Sequence, residues 1–319
     1  MSDILQRYQK TAIIGAGVIG ASWTALFLAR GLSVVVNDPR EDIETIVADY
    51  IRAATPTLQA LGLQVGDDIM TRLSFERDLD KAVADVDLVQ ENGPERIDFK
   101  QQLWARIETS VPRHALLLSS SSARPATEQA RDMRDPSRML VGHPFNPPHL
   151  IPLVEVVPGE GTSEAAVDDA AAFYSALGKV ARIVRKEIPG FVVNRLQRAI
   201  FREACHLVIQ GVVTADELDD IVTNSVGIRW AADGPFRSFY LGGGPGGFEH
   251  FFKQFGASLN EAWKTMAPVN LGPDEQKLII DQANASFGRR SMDKLEGERD
   301  AKQIAIIRAL GSIARGEPA

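Results

Sequence analysis

Through the first part of the chain, short apolar runs alternate with longer stretches whose apolar residues return at helical spacing. The short runs predict strands over 10–14, 33–37, 86–90, 115–119, 138–142, 153–157 and 181–186. The longer stretches predict helices over 18–30, 41–61, 96–109 and 163–177. Strands that alternate with helices in this way argue for an α/β fold, a doubly wound and mostly parallel sheet. Beyond Pro189 the strand signals stop. Val192, Leu196, Ile200, Ala204, Leu207 and Val208 keep helical spacing through 191–210. A capped helix is expected from Thr214 to Ser225, with Thr214 at the N-cap and Glu217 three residues on. Further helices are expected over 259–270, 273–288 and 296–315. The glycine run from Gly242 to Gly247 reads as a loop that no regular element can contain. Two domains follow: a sheet domain over 1–187 and an all-helical domain over 188–319.

The first strand leads straight into GAGVIG, which opens a helix-like run, and a second apolar strand then ends at Asn37 and Asp38. This strand–glycine turn–helix–strand–acid order is the dinucleotide fingerprint of a Rossmann-type domain. Gly15 permits the tight turn, Gly17 lets the backbone approach a pyrophosphate, and Gly20 permits close packing of helix on strand. Val18 and Ile19 open the helix whose N-terminus faces the phosphates. Asp38 is placed to accept hydrogen bonds from the adenosine ribose and to repel a 2′-phosphate, so the expected cofactor is NAD. Arg40, two residues on, weakens that preference slightly or is a solvated loop charge.

The run GHPFNPPHLIPLVE, from Gly142 to Glu155, carries the chemistry. His143 ends an apolar strand, and Pro144, Pro147 and Pro148 hold the next residues out of any helix or central strand. Glu155 interrupts the following apolar run. A carboxylate inside a buried strand is costly without a partner, and the imidazole on the adjoining strand is the evident one. A carboxylate on one ring nitrogen orients a histidine and fixes its tautomer, as a general base requires. The competing reading is a satisfied core histidine. A metal site built from His143, His149 and Glu155 is weak, because no zinc-type spacing occurs.

Three more segments stand out. In ENGPERIDFK a strand end is followed by Glu95 and Lys100, which either reach the ligand at the carboxyl edge of the sheet or lie solvated at a helix start. Ser119–Ser122 are four hydroxyls at a strand end, suited to bind a substrate oxygen or to form a polar turn. Asn194, amid Val192, Val193 and Leu196, is a partnered buried amide or a helix-surface residue.

Composition narrows the class. The net charge of −7 argues against a nucleic-acid footprint, which needs a basic stripe. No apolar run is long enough to span a membrane, and charges near the first residues do not suit an export signal. A single cysteine, Cys205, excludes an intrachain disulfide and is expected in the core. The cytoplasm is the expected location.

In order and nearly in spacing, GAGVIG, ENGPERIDFK, SSSS, GHPFNPP, LVEVV and GFVVNRL resemble the L-3-hydroxyacyl-CoA dehydrogenase family, over most of the chain. RKEIPGFVVNRLQRAIFREA and GIRWAADGPF are similar to its branch acting on small free 3-hydroxy acids, gulonate- or carnitine-like. The resemblance implies an NAD-dependent oxidation of the 3-hydroxyl by hydride transfer. It assigns His143 as base, Glu155 as its partner, and Ser122 and Asn194 to the reacting oxygen. It places Glu95 and Lys100 beside the cofactor and substrate. Asn146 and Arg124 are further substrate-binding candidates. Where the family has Ser-Asn-Thr-Ser, this chain has four serines. Arg229 lies where acyl-CoA members lack an arginine, so it is the candidate for a free carboxylate; otherwise it makes a structural ion pair or braces a dimer. A 3-hydroxyacyl-CoA thioester is the alternative substrate, and a nucleotide-binding protein without turnover is a third reading. The resemblance also implies a homodimer.

Overall fold

The computed structural model describes residues 2–266 and 269–314. The chain divides into two compact units, Met1–Asn194 and Arg195–Ala319. The first is built on one eight-stranded sheet with strand order β3-β2-β1-β4-β5-β6-β7-β8. The strands are β1 (Lys10–Ile14), β2 (Ser33–Asn37), β3 (Leu73–Phe75), β4 (Leu88–Glu91), β5 (Leu116–Ser119), β6 (Met139–Pro144), β7 (Leu153–Pro158) and β8 (Val180–Ile183). All neighbours pair in parallel except β6 and β7, which are antiparallel. The chain winds from β1 through β2 to β3, then crosses back to β4 on the other side of β1. That reversal is the topological switch at which open α/β sheets bind ligands.

The central strands are buried and mostly apolar because both faces are covered, with polar residues such as Glu91, Ser119 and His143 towards their carboxyl ends. Leu116 and Leu118 join a core with Trp23, Phe27, Phe173 and Tyr174, from the helices Val18–Ala29 and Glu164–Ala176. Leu117 joins the opposite core with Trp104 and Ile107, from the helix Ile97–Ser110. Each apolar triplet thus feeds two cores by the alternation of side chains along a strand.

Four sequence expectations are corrected. The strand β3 went unseen: it is three residues long, none of them buried, and too short to show a period. In the second unit the helix expected at 259–270 starts at Gly247 and runs to Thr265, while residues 267 and 268 of that range lie outside the described residues. The glycine run is not one loop. Gly242 ends the helix Gly234–Gly242, Gly244–Gly246 form a 3₁₀ turn, and Gly247 opens the next helix. Gly247 has φ +53°, and a Cβ there would sit 2.5 Å from the Tyr240 ring, so glycine here is a packing requirement rather than a breaker. The last helix begins at Met292, earlier than expected, and residue 315 of the expected range is outside the described residues. The other helices of this unit are Val193–Ile209, whose first two residues belong to the first unit, Ala215–Thr223, Val226–Ala232 and Pro273–Phe287. Thr214 and Glu217 form a capping box at Ala215.

Candidate active site

The glycine turn has the shape its sequence requires. Gly15 holds φ +79°, and a Cβ on Gly20 would lie 2.0 Å from the Gly15 carbonyl oxygen. Nothing stands within 4 Å of a Cβ built on Gly17, so that backbone is open to an approaching phosphate. Gly17 is the N-cap of Val18–Ala29 and supplies no side-chain cap to its first turn, whose amides have no partner within the helix. Val18 is exposed and Ile19 half-buried in that first turn. Asp38, just past β2, accepts from the Ala16 amide at 2.8 Å, which ties the acid to the glycine turn. Burial pushes its carboxyl up, but the Arg40 guanidinium and the backbone amides of Ala16 and Arg40 override this and leave it below the usual carboxylate range. An open turn, an uncapped helix start and a charged acid together fit an adenine dinucleotide.

At the carboxyl edge of β6, the antiparallel register sets His143 directly opposite Glu155. His143 Nδ1 and Glu155 Oε2 are 2.8 Å apart, with both residues buried. The other oxygen of Glu155, Oε1, accepts from the Val192 and Val193 amides at 3.0 Å each. Both oxygens of the carboxylate are thus engaged, and it serves as the anchor for the start of the helix Val193–Ile209. Phe191 is buried beside the imidazole, with ring centroids 5.6 Å apart, at φ +45°. A residue with a Cβ in the left-handed region costs on the order of 1–2 kcal/mol, and here it follows Gly190 at φ +77°. These two left-handed residues turn the chain so that consecutive amides meet Glu155.

The next residue along joins a second cluster. Asn194 Nδ2 donates to the Ser122 carbonyl at 3.2 Å. Glu95 gathers that serine turn: it accepts from Ser121 Oγ at 2.7 Å, the Ser122 amide at 2.7 Å and Ser122 Oγ at 3.2 Å. Arg124 Nε donates to the Glu95 carbonyl. Asn194 is therefore partnered, and Glu95, though exposed, organises the turn. Val193 and Asn194 link the His143–Glu155 pair to the Glu95–Ser122 turn through one helix start.

Lys100 has a different setting from the one its position at a helix start suggests. It is 1 % exposed, and its Nζ donates to both oxygens of Glu91, at 2.7 and 2.8 Å. Glu95 lies further off, at 3.9 Å. Glu91 also accepts from Ser119 Oγ and the Gly93 amide, each at 2.7 Å. Sequence reasoning missed Glu91, although its signal was the one used for Glu155: an acid within a buried strand. Ser120 is bound by Trp23 Nε1 and Gln90 Nε2. Asn146 is exposed in the loop after β6. That loop is held from beneath by Lys179, whose Nζ donates to the Pro148 and Ile151 carbonyls. Burial, then Arg30, pushes the Lys179 ammonium down to about 7. His149 pairs through Nδ1 with Ser22 Oγ at 2.9 Å. Arg229 is exposed on Val226–Ala232 in the second unit.

A switch-point glycine turn with an oriented histidine–carboxylate pair at the same sheet edge defines a dinucleotide-dependent oxidoreductase. The chain belongs to the 3-hydroxyacyl-CoA dehydrogenase family: residues 10–188 match the family's NAD binding domain and 190–276 its C-terminal domain. It is an NAD-dependent dehydrogenase. It is 42% identical over 312 residues to an L-carnitine dehydrogenase of Streptomyces coelicolor, covering 98% of each chain. It is 39% identical to a 3-hydroxyacyl-CoA dehydrogenase of Gibberella moniliformis, covering 97% of each. Among solved structures, an NAD⁺-dependent dismutase, the 5-dehydrogenase of 5-formyl-3-hydroxy-2-methylpyridine 4-carboxylic acid, superimposes with a TM-score of 0.81 at 29% identity, covering 95% of this chain and 98% of that one.

Proposed function

We propose that this protein oxidises the 3-hydroxyl of a small free L-3-hydroxy acid, carnitine-like or gulonate-like. The observation that carries the reading is the His143–Glu155 pair at the carboxyl edge of the sheet. With Nδ1–H donated to Glu155, Nε2 of His143 is the acceptor that takes the substrate's hydroxyl proton. Glu155 balances the charge of the imidazolium that forms, and the Val192 and Val193 amides keep its carboxylate in place. The Ser122 hydroxyl and the Asn194 amide bind the reacting oxygen and polarise the carbonyl in the reverse direction. Bound NAD supplies the hydride acceptor. Gly15, Gly17, Val18, Ile19 and Gly20 hold its pyrophosphate and Asp38 its ribose, with Glu95 and Lys100 supporting the nicotinamide side. Residues 1–187 thus serve the cofactor, and 188–319 the substrate and the dimer.

The carboxylate is assigned to Arg229, with Arg124 and Asn146 as further substrate contacts. Two carnitine dehydrogenase relatives from Streptomyces at 42% identity favour a free acid. A turnover screen of L-carnitine, L-gulonate and other 3-hydroxy acids against acetoacetyl-CoA tests the class. Arg229→Met is expected to raise KM for the preferred free acid about tenfold or more, as loss of a desolvated charge-assisted contact does. Wild-type turnover of acetoacetyl-CoA far above that of any free acid would establish the thioester substrate instead.

The protein works as a homodimer in this reading. Beyond Arg195, among the described residues, Cys205, Val208 and Phe251 are the buried large hydrophobics, while Phe236, Leu241, Phe252, Trp263 and Ile313 are each more than half exposed. So much open apolar surface marks an interaction face. Light scattering should give twice the 34.8 kDa chain mass; the mass of one chain at micromolar concentration would contradict the dimer. With one cysteine, and no described helix long and apolar enough to cross a membrane, the cytoplasm is the proposed compartment.

A further inference from the structure

The acid that reads the adenosine ribose is closed by an arginine from its own loop. Asp38 Oδ1 accepts from the Arg40 amide at 3.1 Å and from Arg40 Nε at 2.8 Å; Oδ2 accepts from Arg40 Nη2 at 2.9 Å and from the Ala16 amide at 2.8 Å. The carboxylate is 7 % exposed, whereas the Arg40 side chain is 42 % exposed. The fork is engaged through Nε and Nη2, and it stands at the rim of the site with Nη1 directed to no carboxylate oxygen. A guanidinium at this place has the geometry and charge that bind a phosphate bidentately. In this fold an arginine near the ribose acid is what accommodates a 2′-phosphate.

We propose that Arg40 is a cofactor-specificity residue held in check by Asp38: paired with the carboxylate it is withheld from a 2′-phosphate, and without that carboxylate it becomes the receptor for one. Two effects separate here. The pair is close to neutral, so repulsion of a 2′-phosphate by net charge is weaker than a lone acid would give. Discrimination then rests on possession of the guanidinium. A 2′-phosphate has to win Arg40 away from a partner that already satisfies it twice and is itself bolted to the Ala16 amide. A ribose hydroxyl needs to displace only one of the four donors on the carboxylate and leaves the guanidinium beside it. Removing the acid releases the fork; the close backbone approaches at Gly15 and Gly20 do not involve Asp38, and a serine or asparagine oxygen at 38 can still accept from the Ala16 amide.

Calorimetric titration of NADH and NADPH into the full-length protein, with no substrate present, tests this apart from turnover. The wild type should bind NADH more tightly. Asp38→Ser should tighten NADPH binding at least tenfold and invert the NADH-to-NADPH preference. Adding Arg40→Ala to that variant should abolish the gain, and Arg40→Ala alone should widen the preference for NADH, because the acid then meets a 2′-phosphate unneutralised. Asp38→Asn, which keeps the side-chain shape, carries the same expectation if the serine variant does not fold. The proposal is overturned if neither Asp38 variant tightens NADPH binding. It is equally overturned if the double variant keeps the gain, since some other group would then hold the phosphate.

Discussion

His143→Gln should lower turnover by about 10²–10⁴-fold, the usual cost of losing a general base, while NADH still binds with near wild-type affinity. Glutamine is close to histidine in reach and retains an amide that can donate to Glu155, so the strand pair β6–β7 and its register survive. What it lacks is a nitrogen able to take a proton and hold the charge opposite the carboxylate. The dinucleotide turn is built on β1 and β2, and His143 contributes nothing to it. The measurement is kcat by NADH absorbance beside an NADH dissociation constant from fluorescence. Near wild-type turnover in the variant would move the base to another residue, and loss of both quantities would mean the substitution disturbed the fold rather than the chemistry.

Glu91→Leu should cost about 3–5 kcal/mol of stability, the penalty for leaving a buried charge without its partner. Lys100 is buried and donates to both Glu91 oxygens. Ser119 Oγ and the Gly93 amide would lose their acceptor as well. For a cooperative unit of this size the melting temperature should fall by roughly 6–20 °C. Replacing both members, Glu91→Leu with Lys100→Met, should recover much of the loss, because the orphaned ammonium is what makes the single change severe. Calorimetric melting checks both. A single variant melting within about 2 °C of wild type would show that Lys100 finds another partner, and Glu95 at 3.9 Å is the candidate. The effect should also reach cofactor binding: a Cβ on Gly15 would touch the Asn92 carbonyl and the Gly93 nitrogen, so the segment Glu91 holds packs directly on the glycine turn.

Some of this was open to reading along the chain. GAGVIG is legible because a turn with positive φ, a backbone that must stay open and a helix that must pack close each demand glycine, at fixed offsets between two apolar strands. The His143–Glu155 partnership is legible for a thermodynamic reason: an acid in a buried strand needs a partner, and the chain supplies one on the adjoining strand. The same rule applied to Glu91 would have found its site, but the partner there, Lys100, sits on a helix and looks like an ordinary surface lysine. The strand β3 escaped because three residues carry no period. The glycine run misled because a glycine required by packing, such as Gly247 against Tyr240, resembles a glycine that breaks structure.

Along the chain itself are written the alternation of strand and helix, the all-helical second part, the dinucleotide turn and the partnership of His143 with Glu155. These depend on local backbone preference and on burial, which a period of two or of 3.6 records residue by residue. Tertiary structure alone decided which donors share each buried acid. Two left-handed residues bring the Val192 and Val193 amides to the Glu155 carboxylate. The Glu91–Lys100 pair and the Arg40 fork on Asp38 were decided there too. Such pairings follow from the desolvation of groups brought together by packing, and spacing along the chain does not encode them.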